Sequence, residues 1–294
     1  MIGKMGAGGK RARLCRDYRY NIGVTTPETL TVAGLKTHLL RAGKGEPVIL
    51  LHGLGASSYS WRYTLPELAK HYEVFAPDLP GFGRTDKPWD FDYSIHGLHT
   101  WVLAFMDHMG IKSARFAGNS MGGVLSLWTA MEAPARVERM ALFGTPAYVE
   151  NRPKMLWPLS WPVIGGLYEW ALGDVTLRYI AGSTFVDKSK VDEAMVAEYG
   201  RALKSAAGRR AVAEFVRRAI PPDHKERVKR YPSVAHKTLV LVGESDQMVG
   251  RAGGERLAKE LPNAEFCLVD ACGHAPQEDA PERVNARLLE FFKA

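Results

Sequence analysis

Short apolar runs alternate with stretches of helical spacing along most of this chain. Residues 47–51 form a continuous apolar run that ends at His52-Gly53. Such a run is typical of a strand that is buried on both faces of a sheet. We predict similar strands over 73–76, 115–117, 140–143, 238–242 and 266–269, preceded by a hairpin over 28–46.

Helical spacing fills the intervals between these strands. We predict helices over 58–70, 94–109, 121–132, 253–261 and 281–292. Strands that alternate with helices indicate crossover connections. They therefore predict an α/β fold, with a mostly parallel sheet that carries helices on both faces.

The alternation stops between residues 148 and 231. Two helical stripes of apolar residues occur there, one through Val191, Met195 and Tyr199 and the other from Val212 to Ile220. We interpret 148–231 as a helical insertion in a sheet domain composed of residues 21–147 and 232–294.

The composition is that of a globular protein with its basic charge at one end. The chain has 294 residues, 46% of them hydrophobic and 24% charged, which excludes a disordered, fibrous or disulfide-scaffold protein. Residues 1–19 carry six basic side chains and one acidic one, so they hold most of the net charge of +7. We predict a flexible basic arm over residues 1–20 that makes at most weak contact with anionic surfaces. The nearly neutral body argues against nucleic-acid binding.

The three cysteines, Cys15, Cys267 and Cys272, are odd in number and lack metal-ligand spacing. They predict neither a disulfide framework nor a metal site, and free thiols fit the cytoplasm. We expect Cys272 to be a small buried residue rather than a reactive thiol. The start of the chain has no secretory signal pattern, and prolines and glycines interrupt the apolar segment 155–172. We therefore expect no stable membrane insertion. We also expect the protein to be a monomer or a dimer.

The segment Gly118-Asn119-Ser120-Met121-Gly122 lies directly after a predicted strand and directly before a predicted helix. A sharp strand-to-helix turn presents its serine hydroxyl above the sheet, and small residues on both sides let the backbones approach. This context predicts that Ser120 is a nucleophile. A serine hydroxyl needs a base to remove its proton as it attacks.

His274 and Asp246 are the candidate partners of that serine. Gly273-His274 follows the last predicted strand, and Asp246 follows the strand before it, so both lie at the carboxyl edge of the sheet. An acid fixes the tautomer of such a histidine and stabilises the imidazolium that forms. Glu244 is the alternative acid, but it lies closer to the end of its strand.

Stabilisation of an oxyanion is the fourth requirement of acyl transfer. The loop His52-Gly53-Leu54-Gly55 follows the first parallel strand. We predict that the backbone amides of Leu54 and Met121 form the oxyanion hole.

These motifs, in this order, resemble those of the α/β-hydrolase superfamily. The resemblance rests on His52 to Gly55, Asp78 to Gly83, Gly118 to Gly123, Gly243 to Asp246, and Gly273-His274. It implies an eight-stranded, mostly parallel sheet, a helical lid inserted after the sixth strand, and no cofactor. The chain order Ser120, Asp246, His274 is the one expected of this superfamily.

Serine at position 120 favours acyl transfer, because the dehalogenases and epoxide hydrolases of this superfamily carry aspartate there. The sequence therefore resembles the esterase branch. We predict a small-molecule substrate, namely a carboxylic ester with a small to medium apolar acyl chain, which the enzyme hydrolyses. We expect Trp157, Trp161 and Asn119 to line the substrate pocket.

Several alternatives remain open. The nucleophile motif is also similar to that of carbon–carbon bond hydrolases of aromatic ring cleavage. Those enzymes commonly have tryptophan after the histidine, where this chain has Ala275, and their oxyanion loop usually reads Gly-Pro-Gly, where it has Gly55-Ala56-Ser57. Perhydrolase or haloperoxidase activity needs the same triad. A small-ligand receptor on this scaffold is the non-enzymatic alternative.

Overall fold

An eight-stranded sheet forms the centre of the computed structural model, which describes residues 26–151, 158, 159, 161, 164–171 and 173–294. The strands are β1 (Thr26–Val32), β2 (Leu35–Ala42), β3 (Pro47–Leu51), β4 (Glu73–Pro77), β5 (Ala114–Asn119), β6 (Val137–Phe143), β7 (Lys237–Gly243) and β8 (Ala264–Val269). Their order is β1-β2-β4-β3-β5-β6-β7-β8. Strand β2 pairs antiparallel with β1 and β4, and β3 to β8 run parallel. The predicted eight-stranded, mostly parallel sheet is confirmed; the basic arm over 1–20 lies outside the described residues.

Helices connect the parallel strands on both faces of the sheet. They are α1 (Leu65–Leu68), α2 (Ile95–His108), α3 (Met121–Glu132), α4 (Ile164–Ala171), α5 (Asp174–Thr184), α6 (Glu193–Leu203), α7 (Ala206–Arg218), α8 (His224–Val228), α9 (Gly250–Glu260), α10 (Pro276–Asp279) and α11 (Pro281–Lys293). Those predicted over 94–109, 121–132, 253–261 and 281–292 correspond to α2, α3, α9 and α11.

The helix predicted over 58–70 is wrong. The structure has a 3₁₀ turn at Ser58–Trp61 followed by the four-residue α1. Pro66 has no backbone N–H and its ring clashes with the carbonyl four residues earlier, so one helix cannot run through it. Near the start of α1 the same proline is tolerated.

The continuous apolar run of β3 reflects burial on both faces. Ile49 and Leu51 pack in one core with α2, α3 and α9, whereas Val48 and Leu50 pack in the other with α1 and α11. Successive side chains of a strand point to opposite faces, so a sheet covered on both sides requires apolar residues at every position.

Five helices, α4 to α8, lie in the described part of the chain between β6 and β7. We call residues 148–231 the inserted segment. The two predicted stripes lie on α6, where Met195 and Tyr199 are buried, and on α7, where Val212, Phe215 and Val216 are buried. Across the described residues, none of the helices combines the length and apolarity needed to cross a membrane.

Candidate active site

Ser120 stands at the turn between β5 and α3. Its backbone has φ 52° and ψ −114°, a conformation that non-glycine residues rarely adopt. The amide of Ser120 donates to the carbonyl of Phe143 at 2.8 Å, and its carbonyl accepts from the amide of Val124 at 3.1 Å. These bonds to β6 and α3 hold a strained backbone that costs about 1–3 kcal/mol. Such strain is characteristic of functional turns.

The glycines around this turn permit the close packing that it needs. A Cβ atom on Gly118 would lie 2.3 Å from the carbonyl oxygen of Gly122. One on Gly122 would lie 2.0 Å from the carbonyl oxygen of Leu51, at the end of β3. Real side chains never approach backbone so closely, so the start of α3 fits against β3 and β5 only with glycine there.

His274 and Asp246 are joined directly. Nδ1 of His274 lies 2.9 Å from Oδ2 of Asp246, and both residues are buried. Burial opposes ionisation of Asp246, but His274 and the backbone amides of Val249 and Met248 favour the carboxylate more and hold its pKa below the usual value. The carboxylate therefore accepts from Nδ1–H, and Nε2 is the ring nitrogen that this bond does not use.

Glu244, the alternative acid, has a different hydrogen-bond partner from His274. Its Oε2 accepts from the amide of Ala271 at 3.0 Å, and the side chain is exposed. The amide of Asp246 donates to the carbonyl of Gly243 at 3.0 Å, and this turn after β7 carries Asp246 rather than Glu244 to His274.

Asn119 connects the serine turn with the histidine loop. Its side-chain Nδ2 donates to the carbonyl of His274 at 3.0 Å and to that of Phe143 at 3.2 Å. Because both donors are used within the protein, the amide group serves as a brace, while the residue also contributes to the cavity wall.

Leu54 and Met121, the predicted oxyanion donors, both lie on the wall of the cavity that contains Ser120. Met121 is the first residue of α3, where backbone amides have no partner within the helix. The Leu54 loop is fixed by His52, whose Nε2 accepts from the amide of Leu79 at 2.9 Å and whose Nδ1 lies 2.8 Å from the carbonyl of Gly53. Burial lowers the pKa of His52, so this ring is neutral and its role is structural.

Gly144 is a site residue that the sequence analysis missed. It follows β6 with φ +48°, and a Cβ atom there would lie 3.0 Å from both Oδ2 of Asp246 and Nδ1 of His274. The only signal in the sequence is a glycine directly after an apolar run, at the same edge of the sheet as Ser120.

Glu278 is a second missed residue and lies on the cavity wall. It accepts from the hydroxyl of Tyr199 at 2.7 Å and forms an ion pair with Arg62, whose guanidinium stacks 4.3 Å from the ring of Tyr59. Burial raises the pKa of the Glu278 carboxyl and also that of the Tyr199 hydroxyl. Nothing in the local sequence indicates that this acid, four residues after His274, is buried.

One cavity of about 250 Å³ contains Ser120 and His274. Helices α3, α5 and α7 each contribute three or more lining residues, and α2, α6, α8 and α10 contribute one or two each. The lining residues of α3 are Met121, Val124, Leu127, Trp128 and Met131. This spacing places one face of α3 along the cavity for three turns. The wall is mainly apolar.

Trp161, one of the two tryptophans predicted to line the pocket, does not lie on the cavity wall. Trp161 is 52% exposed, and the described residues that line the cavity do not include it. Trp157 lies outside the described residues. Within the part of the chain that the structure describes, no group of three or more His, Cys, Asp or Glu side chains is arranged to hold a metal ion.

Comparison with known families identifies the fold. The family described as the alpha/beta hydrolase fold matches residues 46–281. The chain belongs to the α/β-hydrolase family. The resemblance inferred from the motifs is thereby confirmed, and the protein is a hydrolase of this fold.

This α/β-hydrolase is similar along most of its length to bacterial relatives. A 2-hydroxymuconate semialdehyde hydrolase of Pseudomonas putida is 30% identical over 278 residues, which cover 90% of this chain and 93% of the relative. An uncharacterized hydrolase of Bacillus subtilis is 28% identical over 251 residues, which cover 84% of this chain and 90% of the relative. Among solved structures, the 2-hydroxy-6-oxo-6-phenylhexa-2,4-dienoate hydrolase of Rhodococcus sp. strain RHA1 is 27% identical, with a TM-score of 0.79 over 92% of this chain and 99% of that one.

Proposed function

We propose that this α/β-hydrolase cleaves carboxylic esters with apolar acyl chains through an acyl-enzyme intermediate. The observation that carries the proposal is the apolar cavity, whose wall includes both Ser120 and His274. An apolar wall beside a strained serine favours an acyl group that is itself apolar, since burying such a group removes apolar surface from water.

In the proposed mechanism, Oγ of Ser120 attacks the ester carbonyl carbon while Nε2 of His274 takes the hydroxyl proton. The amides of Leu54 and Met121 stabilise the oxyanion. The C–O bond then breaks, and the alcohol leaves with the proton from His274. Water attacks the acyl-serine with His274 as the base, which releases the acid and restores the serine. Asp246 keeps the imidazole oriented throughout.

The cavity length indicates the size of the acyl group. From Ser120 to Met131, α3 rises about 16 Å at 1.5 Å per residue. An extended alkyl chain advances by about 1.3 Å per carbon, so about twelve carbons span this distance. We therefore expect medium-length chains to be the best substrates.

A carbon–carbon hydrolase is the second candidate, because relatives named as hydrolases of 2-hydroxy-6-oxo-dienoates or dienoic acids are 27–30% identical over 90–93% of this chain. A dienoate carries a carboxylate that needs a cationic partner. Among the described residues that line the cavity, Arg227 is the one permanent cation, and it lies against the carboxylates of Glu132 and Asp223. This arrangement favours the neutral ester.

The proposal is tested with p-nitrophenyl esters of two to sixteen carbons and with 2-hydroxy-6-oxo-6-phenylhexa-2,4-dienoate, on the wild type and on Ser120→Ala. We expect kcat/KM to be highest between about six and twelve carbons, and the variant to lose at least about a thousandfold. Labelling of Ser120 by a fluorophosphonate provides an independent measure.

Each alternative gives a different result in the same assay. Cleavage of the dienoate with negligible ester turnover indicates a carbon–carbon hydrolase. Activity that rises steadily to long emulsified chains indicates a lipase. Stoichiometric binding without turnover indicates a receptor.

A further inference from the structure

The loop that carries His274 is bonded to the end of α5 and the chain that follows it. The amide of His274 donates to the carbonyl of Thr184, the last residue of α5, at 2.8 Å. Nζ of Lys190 donates to the carbonyls of Glu278 and Asp279, at 3.1 and 2.6 Å. The inserted segment is therefore part of the support of this loop as well as of the cavity wall.

The Asp279 side chain is at the centre of this junction. Its Oδ2 accepts from the amide of Gly273 at 2.7 Å and from that of Val186 at 2.9 Å, and its Oδ1 accepts from that of Asp187 at 3.2 Å. Asp279 is only 8% exposed. One buried carboxylate thus joins the residue before His274 to the inserted segment, and such bonds to an ionised acceptor are stronger than those between neutral groups.

The backbone at Gly273 packs closely against the end of α5. A Cβ atom on Gly273 would lie 1.9 Å from the carbonyl oxygen of Thr184 and 3.4 Å from Oδ2 of Asp279. The peptide before His274 is therefore in close contact with the end of α5 and is also held by the Asp279 carboxylate. Loss of the carboxylate removes the bond that draws this peptide into place.

We propose that Asp279 is a positioning residue for His274, acting through the backbone of Gly273 and through the stretch Val186-Asp187. The inference rests on the proposed function, in which His274 is the base for Ser120. Reaction rates are sensitive to such positioning, because a misplacement of about 1 Å can cost about a hundredfold.

The test is Asp279→Asn, which retains the size of the side chain but removes its charge and replaces one acceptor oxygen with an NH2 group. At least one of the three backbone N–H donors then faces another donor. The matched control is Asp192→Asn. Asp192 also accepts a backbone amide, that of Met195 at 2.7 Å, and lies on the same inserted segment, where it caps α6. For each protein, kcat, KM and the rate of fluorophosphonate labelling are measured at a temperature well below unfolding. The melting temperature is measured separately by thermal unfolding.

We expect kcat per titrated site and the labelling rate of Asp279→Asn to fall about 10- to 100-fold, with KM changed less than about threefold. The control should match the wild type in both rates. A lower melting temperature with unchanged kcat and labelling would overturn the inference, because it leaves Asp279 a purely structural role. Absence of labelling in the wild type contradicts the proposed function as well, whereas equal labelling of wild type and Asp279→Asn contradicts this inference alone.

A second variant, Val186→Pro, addresses the link to the inserted segment while leaving Asp279 intact. Proline removes the amide that donates to Oδ2, and Phe185 already has the extended conformation that a residue before proline needs, with φ −101° and ψ 141°. We expect kcat to fall about 3- to 10-fold with little change in KM. Unchanged kcat in this variant shows that the bond from Val186 to Asp279 does not help to position His274.

Discussion

The side-chain amide of Asn119 donates to the main-chain carbonyl of His274 at 3.0 Å, so the residue beside the serine turn holds the loop of the proposed base. In Asn119→Asp the donor becomes an acceptor that faces two carbonyl oxygens. We expect kcat for a medium-chain ester to fall about 10- to 100-fold, with a smaller change in KM, because His274 is displaced.

Asn263→Asp is the matched control for this change. Nδ2 of Asn263 donates to the carbonyl of Ala235 at 2.7 Å, and the residue is exposed. It should lose less than about twofold in kcat. Similar losses in both variants would show that the bond from Asn119 to His274 has no special importance for turnover.

Gly144→Ala tests the packing beneath the Asp246–His274 pair. The new methyl group would lie 3.0 Å from Oδ2 of Asp246 and Nδ1 of His274, so one of these groups must move. We expect kcat to fall by about a hundredfold. Steady-state kinetics of the purified variant, with the active sites titrated, measures the loss.

Gly34→Ala separates this steric effect from backbone strain. Gly34 also has a positive φ, +82°, but no atom lies within 4 Å of an added Cβ. Both variants should lose stability, because alanine is strained at positive φ. Only Gly144→Ala should lose kcat. An equal loss in Gly34→Ala would contradict the steric explanation.

Local patterns were sufficient to predict much of the fold. The run 47–51 predicted a strand because burial on both faces makes every position apolar. The turn at Ser120 was predictable because its close contacts involve neighbours in the sequence, Gly118 and Gly122. The helix over 58–70 was wrong because its spacing was given more weight than Pro66.

Contacts between distant segments account for what the sequence did not predict. Glu278 is buried because Arg62 and Tyr199, from separate parts of the chain, converge on it. Gly144 matters only because the loops after β7 and β8 fold over it. Trp161 was expected in the pocket on composition alone, and the structure places its side chain largely in solvent. The neighbouring sequence does not mark Glu278 and Gly144 as site residues or Trp161 as exposed.

Substitution of Val124 tests the length of the cavity. Val124 lies one turn of α3 from Ser120 and lines the cavity, whereas Met131 lies almost two turns further along. Val124→Trp should reduce kcat/KM for a decanoyl ester at least about tenfold and leave the acetyl ester within about threefold, because the bulky ring blocks only the longer chain. Met131→Trp should penalise only chains longer than about ten carbons. Equal effects on both esters would contradict an acyl chain along α3.

The ion pair between Glu278 and Arg62 is buried, with 3% and 10% of the side chains exposed. Glu278→Gln leaves the Arg62 charge without its partner, so we expect unfolding in denaturant to show a loss of at least about 2 kcal/mol. Glu67→Gln breaks the exposed pair with Lys70 and should cost less than about 1 kcal/mol. Equal losses would indicate that the buried pair is effectively solvated.

The thiol of Cys272, two residues before His274, should be unreactive in the folded protein. It is fully buried, and burial raises its pKa to about 12. The ionised fraction of the thiol grows as the pH rises towards the pKa. It is about one in ten thousand at pH 8 and about tenfold larger at pH 9. Native protein treated with iodoacetamide at pH 8 should therefore be modified at the partly exposed Cys267 well before Cys272, as measured by peptide mass spectrometry. Denatured protein should react at both. Rapid native modification of Cys272 would show that the loop before His274 opens readily, contrary to its bonding with Asp279.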